Sequence, residues 1–176
     1  PNHLNLGIRY GYIEQLDDEL LRISKESFDA LSFNCYALSP DHEKMNHALE
    51  ISGLPMIIGE YHFGTVDRGL AQSLWQVNSQ KERGDAFRYY TENAFAHRGL
   101  IGTGWFRWID QNINGRTDGE NYNCGFIDVT DRPYPYMVDA AIKTAKSLYE
   151  IHSGTKTPFH QAPNAVGHSP IPDLWE

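Results

Sequence analysis

Leu54-Pro55-Met56-Ile57-Ile58-Gly59-Glu60-Tyr61-His62-Phe63-Gly64 is the stretch whose reading decides the fold. Met56, Ile57 and Ile58 form an unbroken apolar run behind a proline, the pattern of a short strand covered on both faces of a parallel sheet. The run ends in a carboxylate. Glu60 and His62 are two apart, so on an extended chain they point to one side. Gly59 and Gly64 leave room for close backbone approach. In barrels of alternating strands and helices, polar residues at the C-terminal strand ends build the active site, which makes Glu60 a candidate catalytic carboxylate. A strand-end glutamate paired with an arginine, or capping the next loop, carries the same signature.

Upstream, His3 to Tyr10 alternates like a strand and Gly11 ends it. Leu16, Leu20, Leu21 and Ile23 fall at helical spacing within Glu14 to Glu26. Phe28 to Tyr36 reads as a second strand, with Asn34 and Tyr36 on one face at its end. Asp41 is placed to cap a helix through Met45, Ala48, Leu49 and Ile51, which Gly53 and Pro55 stop. Downstream, a long connection runs from Thr65 to about Ser79, and a helix is predicted over Gln80 to His97. A fourth strand is predicted over Gly99 to Trp108. A polar loop, Asp110 to Arg132, leads to a helix over Pro133 to Ile151 that prolines open. The tail from Thr155 to Glu176 is rich in proline and histidine and reads as an extended arm. Four strand–helix units in sequence predict an α/β fold with a parallel sheet.

The 176 residues suffice for one ordinary domain. A net charge of −8 argues against nucleic acid and against an anionic membrane surface as partners. No run approaches the length of a membrane-spanning helix. Cys35 and Cys124 fit one disulfide or two thiols equally. The sequence starts at Pro1, without an initiator Met or an apolar leader, and so reads as a processed product or a piece of a longer protein.

Two motifs carry a family resemblance. Ile58 to Gly69 (Ile-Gly-Glu-Tyr-His-Phe-Gly-Thr-Val-Asp-Arg-Gly) resembles the seventh-strand motif of the family 50 glycoside hydrolases, the β-agarases of the large (β/α)8 retaining clan. Trp105-Phe106-Arg107-Trp108-Ile109-Asp110-Gln111, with Gly115-Arg116 and Asp118 to Asp128, resembles their eighth strand and following loop, and Pro133-Tyr134-Pro135 continues it. His3-Leu4 with Gly7 and Arg9 looks like their fifth strand, and Ser32-Phe33-Asn34 with Tyr36 like their sixth. The similarity runs from about residue 2 to 152. It implies that residues 1–154 are strands five to eight of the barrel, a (β/α)4 half of a TIM barrel, with 155–176 as a C-terminal arm. It implies a double displacement on a β-linked galactan such as agarose, with Glu60 as nucleophile and a second carboxyl as acid/base. That acid/base is expected after an Asn at the fourth strand, and no Asn-Glu pair occurs here. The missing N-terminal half-barrel, or a second copy of the chain, is therefore the expected partner. A secreted or periplasmic setting is implied likewise.

The other candidates surround Glu60 in this reading. Tyr36 resembles the sixth-strand residue that hydrogen-bonds the nucleophile, with Asn34 beside it. His62 is placed to touch substrate or orient Glu60. Trp105 is a sugar-stacking candidate, with Trp108 competing from the opposite face. Arg107 is a partner for Glu60 or for a hydroxyl. Asp110, Asp118 and Glu120 lie in the loop above, where they bind sugar or a cation or are simply solvated. No histidine spacing predicts a metal site, and no cofactor is implied. The competing function is a non-catalytic half-barrel that binds galactan or assembles with a partner chain.

Overall fold

The computed structural model describes residues 2–167. In chain order it forms β1 (Arg9–Tyr10), a 3-10 turn (Ile13–Gln15), α1 (Asp18–Ser27), β2 (Leu31–Asn34), α2 (His42–Ser52) and β3 (Met56–Tyr61). There follow β4 (Trp75–Gln76), α3 (Gln80–Phe95), β5 (Leu100–Trp105), α4 (Pro135–His152) and β6 (Val166–Gly167). β1, β2, β3 and β5 make a four-stranded sheet in that order, parallel throughout.

Local chemistry sets the helix ends. Asp17 caps α1 by accepting the Leu20 amide, and Asp41 caps α2 by accepting the amides of Glu43 and Lys44. Gly53 closes α2 in the left-handed conformation, with φ of 67°. Ser79 caps α3 through the Glu82 amide.

The sheet is covered on one face. Leu31, Phe33, Met56, Ile58 and Leu100 are fully enclosed in the core. The alternate residues Ser32, Asn34 and Ile57 are half-exposed, and Ile101 is exposed. Within this chain, then, Met56-Ile57-Ile58 is covered on one side, where the sequence pattern predicts covering on both. Among the described residues, the buried side chains of the strands all belong to one core cluster with those of the helices.

Other boundaries shift for identifiable reasons. The strand expected over His3 to Tyr10 shrinks to its last two residues. The Asn5 amide donates to the Asp29 carboxylate, the Asp29 amide donates back to the Asn5 carbonyl, and the Asn5 side chain accepts the Gly7 amide. Gly7 then takes a φ of 68°, so the segment turns instead of pairing. The predicted arm is docked where it is described. The Phe159 amide donates to Glu92, Arg88 lies 4.4 Å over the Phe159 ring, and β6 pairs antiparallel with β4. Residues 168–176 of that arm lie outside the described residues. Cys35 and Cys124 are separate buried thiols.

β3 carries one irregularity that decides the site. Between Phe33 and Asn34 of β2, the partner register on β3 jumps from Ile58 to Glu60. Gly59 is thus an extra, bulged residue. Strict alternation from Met56 and Ile58 would send Glu60 into the core. The bulge turns it to the open face and returns Tyr61 to the core. The bulged carbonyl needs space: a Cβ on Gly104 of β5 would sit 2.6 Å from the Gly59 oxygen.

Gly104→Ala should therefore cost about 1–3 kcal/mol by overpacking against backbone, read as a lower urea midpoint. Gly102→Ala is the control, because its Cβ would meet only Ile57 side-chain carbons at 3.7 Å and 3.8 Å. Equal losses in the two variants would show that the Gly59 carbonyl is not the constraint.

Candidate active site

Glu60 stands at the C-terminal end of β3, and donors from β2, the residues just after it and β1 fix its carboxylate. Arg9 Nη2 lies 2.8 Å from Oε1. The Tyr36 hydroxyl donates to Oε2 at 2.8 Å, and Asn34 Nδ2 donates to the same oxygen at 3.3 Å. Oε2 thus takes two neutral donors and Oε1 one cation. The Glu60 side chain is 19% exposed and that of Arg9 50%, so the group opens on the uncovered face of the sheet. Gly59 permits this arrangement, because a Cβ there would meet Arg9 Cδ at 2.3 Å.

The backbone explains the alignment. Asn34 pairs with Glu60 in register, and the Cys35 amide donates to the Glu60 carbonyl at 2.9 Å. Two residues past Asn34 and on the same side, Tyr36 reaches the carboxylate. Burial first, and then the bond to Glu60, push the Tyr36 hydroxyl well above the ordinary tyrosine range. It therefore stays protonated and serves as a donor.

His62 does not touch Glu60. It is 2% exposed, and its Nε2 accepts the Leu74 amide at 3.1 Å. Its ring meets the Tyr36 ring edge-on, with centroids 4.9 Å apart. Glu60 and His62 are thus joined through Tyr36, one at its hydroxyl and the other at its ring. Burial pulls the His62 pKa down to about 3, so the imidazole is neutral near pH 7.

The remaining predicted residues divide. Trp105 Nε1 donates to the Cys124 carbonyl at 2.6 Å, and its indole meets Tyr61, Phe87 and Phe126 edge-on. Trp108 is exposed and stacks on Phe126 at 5.9 Å. Arg107 makes no ion pair among the described residues; Arg9 takes the place beside Glu60 foreseen for it. Glu120 accepts from Gln111 at 2.6 Å and pairs with Arg116 at 3.2 Å, while Asp118 pairs with Arg116 at 2.7 Å.

Asp110 departs furthest from expectation. It is 4% exposed, and its oxygens accept from Asn123 Nδ2, the Gly125 amide and the Tyr134 hydroxyl. A carboxylate so enclosed is not free to meet sugar in this arrangement, because the loop folds over it instead of displaying it. Arg83, fully enclosed on α3, donates to the Asn123 and Gly125 carbonyls at 2.8 Å and 2.7 Å and lies 4.4 Å over the Tyr134 ring. No set of three or more His, Cys, Asp or Glu side chains converges to hold a metal among the described residues.

Sequence reasoning missed Arg9 as a partner of Glu60, and missed Arg83 and Asn123 altogether. A signal existed for Arg9: a carboxylate turned to an open face needs a cation, and Arg9 lies on the same sheet in β1, one strand beyond β2. Arg83 was signalled by its position one turn before Ala86 and Phe87 on the apolar side of α3.

No family model matches the chain. β-agarase A of Vibrio sp. (strain JT0107) is 38% identical over 156 residues, which is 85% of this chain and 16% of that protein. β-agarase B of the same strain is 35% identical over the same length and the same shares. The chain is similar to the family 50 β-agarases over most of its length. The solved structure of the agarase AgWH50C matches with a TM-score of 0.80 at 38% identity, over 86% of this chain and 22% of that one. An exo-β-agarase matches with a TM-score of 0.81 at 36% identity, over 89% and 21%. This agarase-like chain spans about a sixth of the length of the curated relatives it matches.

The depressed His62 pKa sets a pH dependence. The folded value near 3 lies below the ordinary 6.5, so between these values the unfolded chain binds the extra proton. Stability attributable to His62 is full above pH 6.5 and falls as the pH drops toward 3, by up to about 1.4 kcal/mol per pH unit. His97, also pushed down by burial, acts in the same direction. Urea midpoints measured from pH 7 to 4 should fall less steeply for His62→Gln than for the wild type. Parallel slopes would show that His62 ionises normally in the fold.

Proposed function

We propose that this chain is the C-terminal half of a retaining glycoside hydrolase barrel that cleaves β-galactosidic linkages of agarose or a related galactan, with Glu60 as nucleophile. The observation that carries the reading is the Glu60 carboxylate itself. It is fixed by Arg9, Tyr36 and Asn34 at a strand end and opens on an uncovered sheet face. Such a group is oriented and accessible, as a nucleophile must be. The agarase-like match covers the strands that supply it.

In a retaining double displacement, a Glu60 oxygen attacks the anomeric carbon and a second carboxyl protonates the departing oxygen; water then hydrolyses the glycosyl-enzyme. Oε1 is the better placed attacker. Only Arg9 holds it, and Arg9 is half-exposed, whereas Oε2 is fixed by two donors. Tyr36 and Asn34 keep the carboxylate aimed while Oε1 changes partners.

The acid/base comes from a part of the protein outside this chain. The loop carboxylates are engaged elsewhere: Asp110 is sealed in, while Glu120 and Asp118 are tied to Arg116. The one-sided parallel sheet supports the same conclusion, because parallel strands are ordinarily covered on both faces. The remaining half of a barrel would cover this one. Asn34, Arg107 and the exposed Trp108 are then available to line sugar subsites beside Glu60. The alternative, a non-catalytic galactan-binding half-barrel, is favoured for the isolated chain by that same open face.

In the enzyme that carries this chain, Glu60→Gln should lower sugar release from agarose by on the order of 10³-fold or more while retaining oligosaccharide binding. Glu60→Ala should be rescued by azide, giving a glycosyl azide of inverted configuration. Undiminished release by Glu60→Gln would remove Glu60 from the nucleophile's role. Bound sugar with no turnover in the wild-type enzyme would favour the binding module.

A further inference from the structure

We propose that His62 is a positioning residue that holds the Tyr36 ring so that its hydroxyl reaches Glu60, and that ties this ring to Leu74 in the connection after β3. The inference rests on the reading of Glu60 as the reacting carboxylate.

His62 lies at a junction of four segments. Its ring stands at 66° to that of Tyr36 with centroids 4.9 Å apart. On other sides it meets Tyr122 at 5.7 Å and Phe106 at 6.0 Å. Being 2% exposed, it is out of reach of a sugar. The Tyr36 hydroxyl, in contrast, donates to Glu60 Oε2 at 2.8 Å. His62 is therefore one contact removed from the chemistry.

Its hydrogen bonding fixes more than its place. The Leu74 amide donates to Nε2 at 3.1 Å. A backbone amide only donates, so Nε2 carries no proton and the neutral ring is protonated at Nδ1. Nδ1 makes no hydrogen bond of good geometry, while the Phe106 backbone faces the ring as an acceptor and favours a proton on it. What an apolar ring lacks is the acceptor that locks Leu74.

The ionisable groups facing His62 are Tyr36 and Tyr122, with the Arg83 charge near enough to oppose a second cation. No carboxylate pairs with the ring among the described residues. Protonating Nε2 would set it against the Leu74 amide, donor to donor, and free the ring that supports Tyr36.

The test uses 15N-labelled chain. The imidazole shifts should show His62 neutral, with its proton on Nδ1, from pH 5 to 8. The Tyr36 hydroxyl proton should appear as a slowly exchanging resonance. His62→Gln keeps an acceptor for Leu74 and removes the ring edge, while His62→Phe keeps a ring and removes the acceptor. Either should speed Tyr36 hydroxyl exchange at least tenfold. In the enzyme that carries this chain, either should lower kcat on agarose about tenfold with KM within twofold, and neither should lower it further once Tyr36 is Phe. A proton on Nε2, titration near pH 6.5, unchanged hydroxyl exchange in both variants, or full additivity with Tyr36→Phe overturns the proposal. If His62→Phe does not fold, the wild-type shifts and His62→Gln decide it. If Glu60→Gln leaves activity intact, the agarase reading falls instead, and the imidazole and hydroxyl resonances still settle the role of His62.

Discussion

A carboxylate at the end of a buried strand has to leave the core side of the sheet, and in this chain one bulged glycine makes the turn. Met56 and Ile58 point into the core, and regular pleating would send Glu60 after them. An ionised carboxylate there would be desolvated without a partner, at a cost of several kcal/mol. Gly59 adds one residue to β3, so Glu60 emerges beside Asn34 and Arg9 while Tyr61 returns to stack on Tyr90, with centroids 4.1 Å apart. The bulge in turn needs glycine at two places. Gly59 must lack a Cβ for Arg9 to cross the sheet, and Gly104 must lack one to clear the Gly59 carbonyl. The geometry of the site is thus a property of the backbone before it is a property of any side chain.

A second, sealed network fixes the loop after β5. Arg83 and Asp110 do not bond each other directly. Each satisfies groups of the 123–125 segment: Arg83 through the Asn123 and Gly125 carbonyls, Asp110 through the Asn123 side chain and the Gly125 amide. Burial lowers the Arg83 pKa, and Asp110 opposes that shift. The loop's backbone polar groups lie between two opposite charges, where each charge meets fixed dipoles instead of water. Gln80 extends the network to Thr65 and Asp67, and so joins the two long connections that follow β3 and β5. Loops without regular secondary structure are held here by charge.

The order of strands and helices was legible in the sequence because hydrophobic periodicity and caps are local. Asp41 and Gly53 bracket α2 where their chemistry put them. Glu60, Tyr36 and Asn34 were legible as a group because they end adjacent strand segments. What escaped was set by distant contacts. The bulge is a relation between β2 and β3, and Ile58-Gly59-Glu60 alone does not reveal it. Asp110 looked like a loop carboxylate open to sugar because the residues that enclose it, Asn123, Gly125 and Tyr134, lie 13 to 24 positions later. Arg9 looked like one more strand residue, since its role follows from where Glu60 is turned. The second covering layer read from Met56-Ile57-Ile58 is not supplied by the described residues of this chain, and in the half-barrel reading it belongs to the remaining strands.

The two networks sit in different dielectric surroundings, and the proposed reaction uses that difference. Arg83 and Asp110 are enclosed, so their fields act at close to full strength on a loop that is meant to stay still. Arg9 and Glu60 face an open surface, where water weakens their attraction. That weakness suits a reacting group, because a nucleophile locked to an arginine in a dry cavity would be slow to let go. In the proposed reaction Arg9 can move aside into water as Oε1 turns to an electrophilic carbon, while the bonds from Tyr36 and Asn34 to Oε2 stay in place. Holding Oε2 with two donors and Oε1 with one exposed cation would, for the proposed nucleophile, separate aiming from reacting within a single carboxylate.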